Sequence, residues 1–323
     1  MPNSEDARWL AAAACLAERA RPLSRPNPAV GAIIVKDGVV VGRGWTQAGG
    51  RPHAEAVALA QAGEAARGAT LYVTLEPCAH ASERGPACAD LTVAAGLARV
   101  VAGAPDQDPR TFGAGFARMR KAGIEITCRP HEPSRASLLG YARAKMTGYP
   151  ETTLKLAITA DGFIARPDGT SRWVTGEPAR AHAHRERARA DAILVGGSTL
   201  RADEPGLDVR LPGLEGRSPQ RVVLTRGAAP QGWVAIKEPT EIAGHGWQYL
   251  LIEGGAGVAD AFLSAGLVHR LLLYRSPTRF GDGIPAFRDA GADGVPPGWR
   301  LTDRRQLGSD TLEVYYPEDN EGA

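Results

Sequence analysis

Apolar and polar positions along the chain follow two periodicities, one helical and one extended, and their order predicts most of the elements. Residues 4–21 carry apolar positions at helical spacing, with Glu5 and Asp6 in the first turn, as a helix start favours. PNPAVG (26–31) breaks that pattern, and AIIVKDGVVVG (32–42) places two β-branched runs around Lys36-Asp37-Gly38, a hairpin signal. Residues 53–66 then read as a helix opened by Pro52, which would stand at the first helical position. Residues 69–75 read as a buried strand, 88–95 as a helix, 99–104 as a strand, 112–122 as a helix and 124–128 as a strand. Strands alternating with helices predict an α/β layered domain.

A helix over 132–145 and a linker at TGYPE (147–151) lead into a second alternation. Strands are expected at 153–159, 191–196, 221–225, 249–253, 270–274 and 311–316, with helices at 181–190 and 257–266. A chain of 323 residues is long for one core. Two α/β domains are therefore expected, 1–148 and 149–323. No internal repeat and no low-complexity tract is present.

Composition narrows the function classes. Hydrophobic content of 43%, charged content of 23% and a net charge of +2 describe an ordinary globular chain. Residues 1–148 carry 18 basic and 13 acidic groups, and 149–323 carry 20 and 23. Neither half has the concentrated basic field that nucleic-acid binding uses, so no nucleic-acid partner is expected. The N-terminus lacks a basic n-region, and no apolar run approaches 18 residues, so no membrane association is expected and the chain is assigned to the cytoplasm. Thiols stay reduced in that compartment, where paired cysteines favour a metal or catalysis over a disulfide.

Three stretches then carry chemistry: PHAEAVAL (52–59), EPCAH (76–80) and PAC (86–88). His53 and Glu55 are two residues apart, a spacing that does not face two helical side chains toward one metal. One ligand and one nearby acid/base is the natural division. Cys78 and Cys88, with nine residues between them, supply two thiolates, and Cys88 opens a predicted helix whose N-terminus favours the ionised sulfur. His53, Cys78 and Cys88 would leave tetrahedral Zn²⁺ a fourth position open to water, the arrangement of a catalytic site. Zinc lowers the pKa of such a water, and Glu55 would move its proton to a ring nitrogen and a departing ammonia. His80 as a fourth, structural ligand and a Cys78–Cys88 disulfide remain alternatives. Cys15 and Cys128 have no partner motif and are read as buried apolar residues.

Signals in the second half are individually weaker. LIEGGAGVADAFLSAG (251–266) reads as strand, glycine turn and helix, a shape that binds phosphate or simply joins the two elements. Lys155 interrupts an apolar strand, where it needs a partner or an edge from which to reach solvent. DAILVGGSTLRADEPGLDVR (191–210) ends a strand in Gly-Gly and continues into polar residues and Arg210, either a phosphate clamp or a solvated face.

Together, PNPAVGAIIVKDG, GRPHAEAVAL, LYVTLEPCAH, LKLAITADG, SRW, ADAILVGGSTLRADEPGLDVR, RVVLT and LLIEGGAG resemble the bifunctional riboflavin-biosynthesis deaminase/reductases over nearly the whole chain. The resemblance implies a cytidine-deaminase-like α/β/α domain followed by a dihydrofolate-reductase-like α/β domain. It implies one Zn²⁺ per chain, NADPH and a phosphoribosylaminopyrimidine substrate, and it leaves a homo-oligomer open. Asn27 and His80 are implied in the deaminase pocket. NADPH contacts are implied at Ala157, Trp173, Thr199, Asp203 and along Gly255, Ala256, Gly257, Val258, Ala259, Asp260 and Ala261. Lys155, Ser171, Arg187, Leu207, Arg210 and Glu253 are implied around the reductase substrate, Arg187 and Arg210 as phosphate ligands. The chain departs from the family in three places. The Cys78–Cys88 loop is one residue longer than the usual PCxHxGRTPPC run, Arg226 stands where a small polar contact is common, and the stretch between RVVLT and YLLIE is short, as if a helical segment were lost. Competing readings are a deaminase acting on nucleic-acid bases, a structural zinc scaffold, and a deaminase carrying a degenerate reductase.

Overall fold

The computed structural model describes residues 4–109, 111–171, 174–291 and 294–318. It divides into two compact units, Met1–Ala142 and Arg143–Ala323. No helix among the described residues is long and apolar enough to cross a membrane.

The first unit runs α1 (Ser4–Ala17), β1 (Gly31–Lys36), β2 (Val39–Trp45), α2 (Ala54–Ala62), β3 (Thr70–Val73), α3 (Cys88–Ala94), β4 (Arg99–Ala102), α4 (Ala114–Lys121), β5 (Glu125–Cys128) and α5 (Glu132–Thr147). The division between units falls inside α5, and residue 148 lies just past its end. The strands form one sheet in the order β2-β1-β3-β4-β5. β1 is antiparallel to both its neighbours, and β3, β4 and β5 are parallel. Because side chains alternate across a sheet, Ala32 and Ile34 of β1 pack with Leu71, Val73, Val100, Phe116 and Met119 on one face. Ile33 and Val35 pack on the other with Leu10 and Ala13 of α1. A three-layer α/β/α sandwich results.

Two expected helices are shorter than their patterns. α1 stops at Ala17, and the chain continues through turns toward Pro22 and Pro26. α2 ends at Gly63, whose φ of +52° suits glycine, and a 3₁₀ turn covers Gly63–Ala66. α2 lies almost directly on the backbone of β2. A Cβ on Gly42 would collide with the carbonyl oxygen of Ala58, and one on Gly44 with that of Ala54. The alanines of AEAVALAQA and the glycines of VVVGRGW are complementary for that reason, and their contact sets the position of the helix start where His53 and Glu55 stand.

The second unit contains β6 (Glu151–Ile158), β7 (Phe163–Ala165), α6 (Glu177–Arg187), β8 (Ala192–Gly196), α7 (Gly197–Asp203), β9 (Gln220–Leu224), β10 (Val234–Ile236), β11 (Tyr249–Ile252), α8 (Ala256–Ser264), β12 (Arg270–Arg275), β13 (Ile284–Pro285), β14 (Trp299–Leu307) and β15 (Asp310–Pro317). Its main sheet has the order β10-β9-β8-β11-β6-β12-β15-β14, and β7 pairs separately with β13. From β10 to β12 every pairing is parallel, whereas β15 is antiparallel to both β12 and β14. Between β9 and β11 the chain forms β10 and a 3₁₀ turn at Pro239–Ile242, with no α-helix.

β6 lies inside this sheet, which removes the edge-strand explanation for Lys155. Leu154, Leu156 and Ile158 enter the main core on one face. By alternation, Thr153, Lys155 and Ala157 turn to the other. The elements that pattern reading missed are short or polar. α7 has seven residues and begins on glycine, and β14 (WRLTDRRQL) is an edge strand, largely exposed.

Candidate active sites

In the first unit the chemistry gathers at the start of α2, the end of β3 and the start of α3. His53 is the N-cap of α2, in extended conformation and with no capping bond from its side chain. Pro52 therefore precedes the cap instead of occupying the first helical position. The imidazole instead meets two sulfurs. His53 Nδ1 lies 3.6 Å from Cys78 Sγ and 3.3 Å from Cys88 Sγ, and all three ligand atoms fall within 4.8 Å of one another. Cys88 is the first residue of α3, and its backbone N–H donates to Cys78 Sγ at 3.3 Å. The Cys88 side chain, then His53 and the Cys88 N–H, hold the Cys78 thiol well below its ordinary value against the opposing effect of burial. One imidazole and two sulfurs, one already favoured as thiolate, match the donor preference of zinc and leave a tetrahedral ion one open position. Cys78 and Cys88 are buried free thiols, whereas Cys15 and Cys128, expected to be buried, are exposed.

Glu55, in the first turn of α2, is 3% exposed. Burial pushes its carboxyl up to about 7, opposed by the neighbouring imidazole, which suits a group that must take and return a proton near neutrality. Asn27 donates from Nδ2 to the carbonyl of Gly50 at 2.9 Å, and the same nitrogen lies 3.1 Å from His53 Nε2. His80 is outside the ligand cluster, with Nδ1 3.3 Å from Thr111 Oγ1. A cavity of about 250 Å³ opens on these groups and is lined by Asn27, His53, Glu55, Cys78 and His80.

The longer Cys78–Cys88 loop is tightly folded. Ser82 and Gly85 exchange backbone hydrogen bonds at 3.1 and 3.0 Å, and Arg84 Nη2 donates to the Gly49 carbonyl at 2.7 Å. Sequence reasoning passed over Arg51, Glu76, Arg84, Asp106 and Asp108, which also line this cavity. The available signal was positional, because Asp106 and Asp108 follow the carboxyl end of parallel strand β4, where α/β sheets place their ligands.

The second unit has a larger cavity, about 570 Å³, at the carboxyl ends of β6, β8 and β11. Lys155 and Glu253 face each other there, Nζ to Oε2, at 3.6 Å. Arg187 grips the same carboxylate through both oxygens at 2.7 and 2.9 Å, and its Nη1 donates to the Asp208 carbonyl at 2.9 Å. Burial opposes ionisation of Glu253, but Lys155 and Arg187 outweigh it and hold the carboxyl down at about 2. Expected as a phosphate ligand, Arg187 thus has its forked edge committed to Glu253. Arg210 is mostly exposed, with Nε 3.5 Å from Asp208 Oδ1.

Of the expected cofactor contacts, Ala157, Thr199, Asp203, Gly255, Ala256, Gly257 and Val258 line the cavity, as do Ser171 and Arg210 from the substrate set. Gly196 and Gly254 make room for Val258, since a Cβ on either would stand within 2.8 Å of its side chain. Ala259, Asp260 and Ala261 do not reach the cavity. Ala259 is fully buried in the core behind α8, Asp260 pairs with Arg288 at 3.6 Å, and Ala261 follows a turn deeper in the helix. Only the first turn of a helix presents its N-terminal groups to a ligand. Leu207, expected at the substrate, is 3% exposed and packs with Ile193 and Val195, at a φ of +51°. Trp173 lies outside the described residues.

Comparison with known proteins agrees with both halves. Residues 3–104 match the cytidine and deoxycytidylate deaminase zinc-binding region. Residues 150–232 and 234–312 match the RibD C-terminal domain. The riboflavin biosynthesis protein RibD of Haemophilus influenzae is 32% identical over 98% of this chain and 98% of its own. The chain belongs to the RibD family. The Escherichia coli RibD is 36% identical, over 86% of this chain and 89% of that one. Among solved structures, Acinetobacter baumannii RibD superposes with a TM-score of 0.85 at 34% identity, covering 97% of this chain and 99% of the other. A Thermotoga maritima diaminohydroxyphosphoribosylaminopyrimidine deaminase/5-amino-6-(5-phosphoribosylamino)uracil reductase gives 0.87 at 29%, with the same coverage. As a RibD family member, the chain is a bifunctional deaminase/reductase of riboflavin biosynthesis, α/β throughout, with the deaminase domain first.

Proposed function

We propose that the first unit hydrolyses 2,5-diamino-6-(5-phosphoribosylamino)pyrimidin-4(3H)-one to its uracil counterpart and ammonia. The second unit then reduces the ribosyl group of that product to ribityl with NADPH. The observation that carries the deaminase assignment is the His53–Cys78–Cys88 triangle beside the buried Glu55. His53, Cys78 and Cys88 would hold a zinc ion, which would supply Lewis acidity and make a water nucleophilic near neutral pH. Glu55 would take the proton of that water and deliver it to the ring nitrogen and then to the departing amine. Asn27 braces the His53 ring through its amide, and His80, steadied by Thr111, would face the substrate.

In the second unit, NADPH would supply the hydride for the sugar C1′. The glycine turn Gly254–Gly255 and the first turn of α8 would carry the dinucleotide phosphates. Reduction at C1′ opens the bond to the ring oxygen, which must take a proton. Glu253 is held ionised and accepts hydrogen bonds only, which favours Lys155 as the group that presents the proton. Arg187, gripping Glu253, would fix the carboxylate and so the position of Lys155. The test is a coupled assay on one purified protein. Ammonia release from the diaminopyrimidine should come first, followed by loss of NADPH absorbance on the product. No ammonia from zinc-loaded protein refutes the first assignment, and no NADPH oxidation with authentic product refutes the second.

A further inference from the structure

Glu76, which lines the deaminase cavity, carries a carboxylate to which the proposed reactions assign no step. The residue is 2% exposed, three positions past the end of β3 and two before Cys78. A buried carboxylate is costly unless its oxygens are fully engaged. Here they accept three backbone N–H groups. Asp106 N and Gly113 N donate to Oε2 at 3.3 and 3.1 Å, and Phe116 N donates to Oε1 at 3.3 Å. All three donors belong to one segment, the connection from β4 into α4. The main chain joins in, since Glu76 N–H donates to the Ala104 carbonyl at 2.9 Å and extends the β3–β4 pairing to where that segment begins. Packing at the far end is tight, because a Cβ on Gly115 would collide with the Pro77 carbonyl and stand 3.2 Å from Glu76 Oε1.

The segment held in this way forms one wall of the deaminase cavity. Asp106 and Asp108 line it, and the fully buried Thr111 meets His80 Nδ1. Within the segment, Asp108 N–H donates to Asp106 Oδ1 at 3.0 Å, Thr111 and Phe112 N–H donate to the Asp108 carbonyl, and Ala114 N–H donates to the Thr111 carbonyl at 2.7 Å. We infer that Glu76 is the positioning residue of the deaminase, acting through the backbone of Asp106, Gly113 and Phe116 to hold the pocket wall and His80 against the substrate. The loop leaving β3 would thus carry a metal ligand and, two residues earlier, the anchor for the opposite wall. The inference rests on the deaminase assignment above, and its test separates the two.

The test compares zinc-loaded full-length wild type with Glu76→Ala and Glu76→Gln. Zinc content, deaminase kcat and KM, and amide hydrogen exchange are read together. Three backbone N–H groups lose a charged acceptor in Glu76→Ala, so KM for the diaminopyrimidine should rise ~10-fold or more, with kcat falling less. Zinc should stay at one per chain, and reductase turnover should not change. Glu76→Gln keeps one acceptor oxygen and should recover part of the loss. The amides of Gly113 and Phe116 should be protected in wild type and lose protection in both variants, while β3 and β4 keep theirs. The exchange reading needs no substrate, so it decides the anchoring even if the diaminopyrimidine proves the wrong substrate. Unchanged KM with unchanged protection overturns the inference. So does zinc loss in step with activity, because Glu76 would then act on Cys78 and not on the wall.

Discussion

At the scale of single residues, two buried glutamates show how surroundings set a role. Glu55 and Glu253 are both taken out of water, yet burial leaves Glu55 at about 7 while two cations hold Glu253 at about 2. The first is suited to moving protons and the second to remaining a fixed anion. Glu55→Gln should therefore lower ammonia release by ~10²–10⁴-fold, the usual worth of a general acid/base, while the protein keeps one zinc by metal analysis. Glu253 has a consequence for stability. Its folded pKa is depressed, so its contribution is fully present above the unfolded value near 4.5 and is lost as pH falls through about 2. A shift of that size corresponds to about 3 kcal/mol. Denaturant midpoints of the reductase unit between pH 5 and 2 should fall more steeply for wild type than for Glu253→Gln, in which Asp161 still titrates. At neutral pH that variant should be less stable by ~3 kcal/mol or more, because it leaves Lys155 and Arg187 without their counter-charge.

At the scale of elements, the pattern reading located most strands and helices and failed where side-chain pattern carries no signal. β1, β3, β4, β8 and β11 are nearly continuous apolar runs, so burial on both faces made them legible, whereas β6 was legible from the alternation around Lys155. β14 is polar on an edge and held by its ladder to β15, which no periodicity announces. α2 was legible as a helix, but its seat was not. Gly42 and Gly44 look like interruptions in a strand and are in fact the surface on which the helix rests. Gly44→Val should push α2 off β2, at a cost of ~1–3 kcal/mol or more in stability. Since His53 and Glu55 ride on that helix start, zinc affinity measured by competition with a chromophoric chelator should fall as well. A Gly63→Ala change at the other end of α2 meets no atom within 4 Å. It should cost only the strain of a positive φ, with zinc affinity unchanged.

At the scale of the molecule, each unit has its own cores. Ile34, Leu71 and Val100 belong to the first, and Leu154, Leu194 and Leu271 to the second. The candidate zinc ligands His53, Cys78 and Cys88 lie in the first unit, and Lys155, Arg187 and Glu253 lie in the second. Stripping the metal with a chelator should therefore abolish ammonia release and leave NADPH oxidation on the deaminated product within about twofold. In calorimetry the chelator should lower the transition of the deaminase unit alone, because a ligand stabilises only the fold that binds it. Parallel loss of both activities would contradict this separation.

The sequence by itself determined the two-unit α/β plan and named the zinc ligand types, because continuous apolar strands and a His–Glu–Cys–Cys set are local statements about residue kind and order. Tertiary structure alone decided which groups meet. It turned Lys155 away from the core and onto Glu253, and it engaged the fork of Arg187 with that same carboxylate. It kept Ala259 and Leu207 in the cores and away from the cavity. It also made Glu76 the anchor of a wall 30 to 40 residues further along the chain. The physical reason is common to all of these: burial and pairing belong to the three-dimensional neighbourhood, which strand order and helix seating create and local pattern does not record.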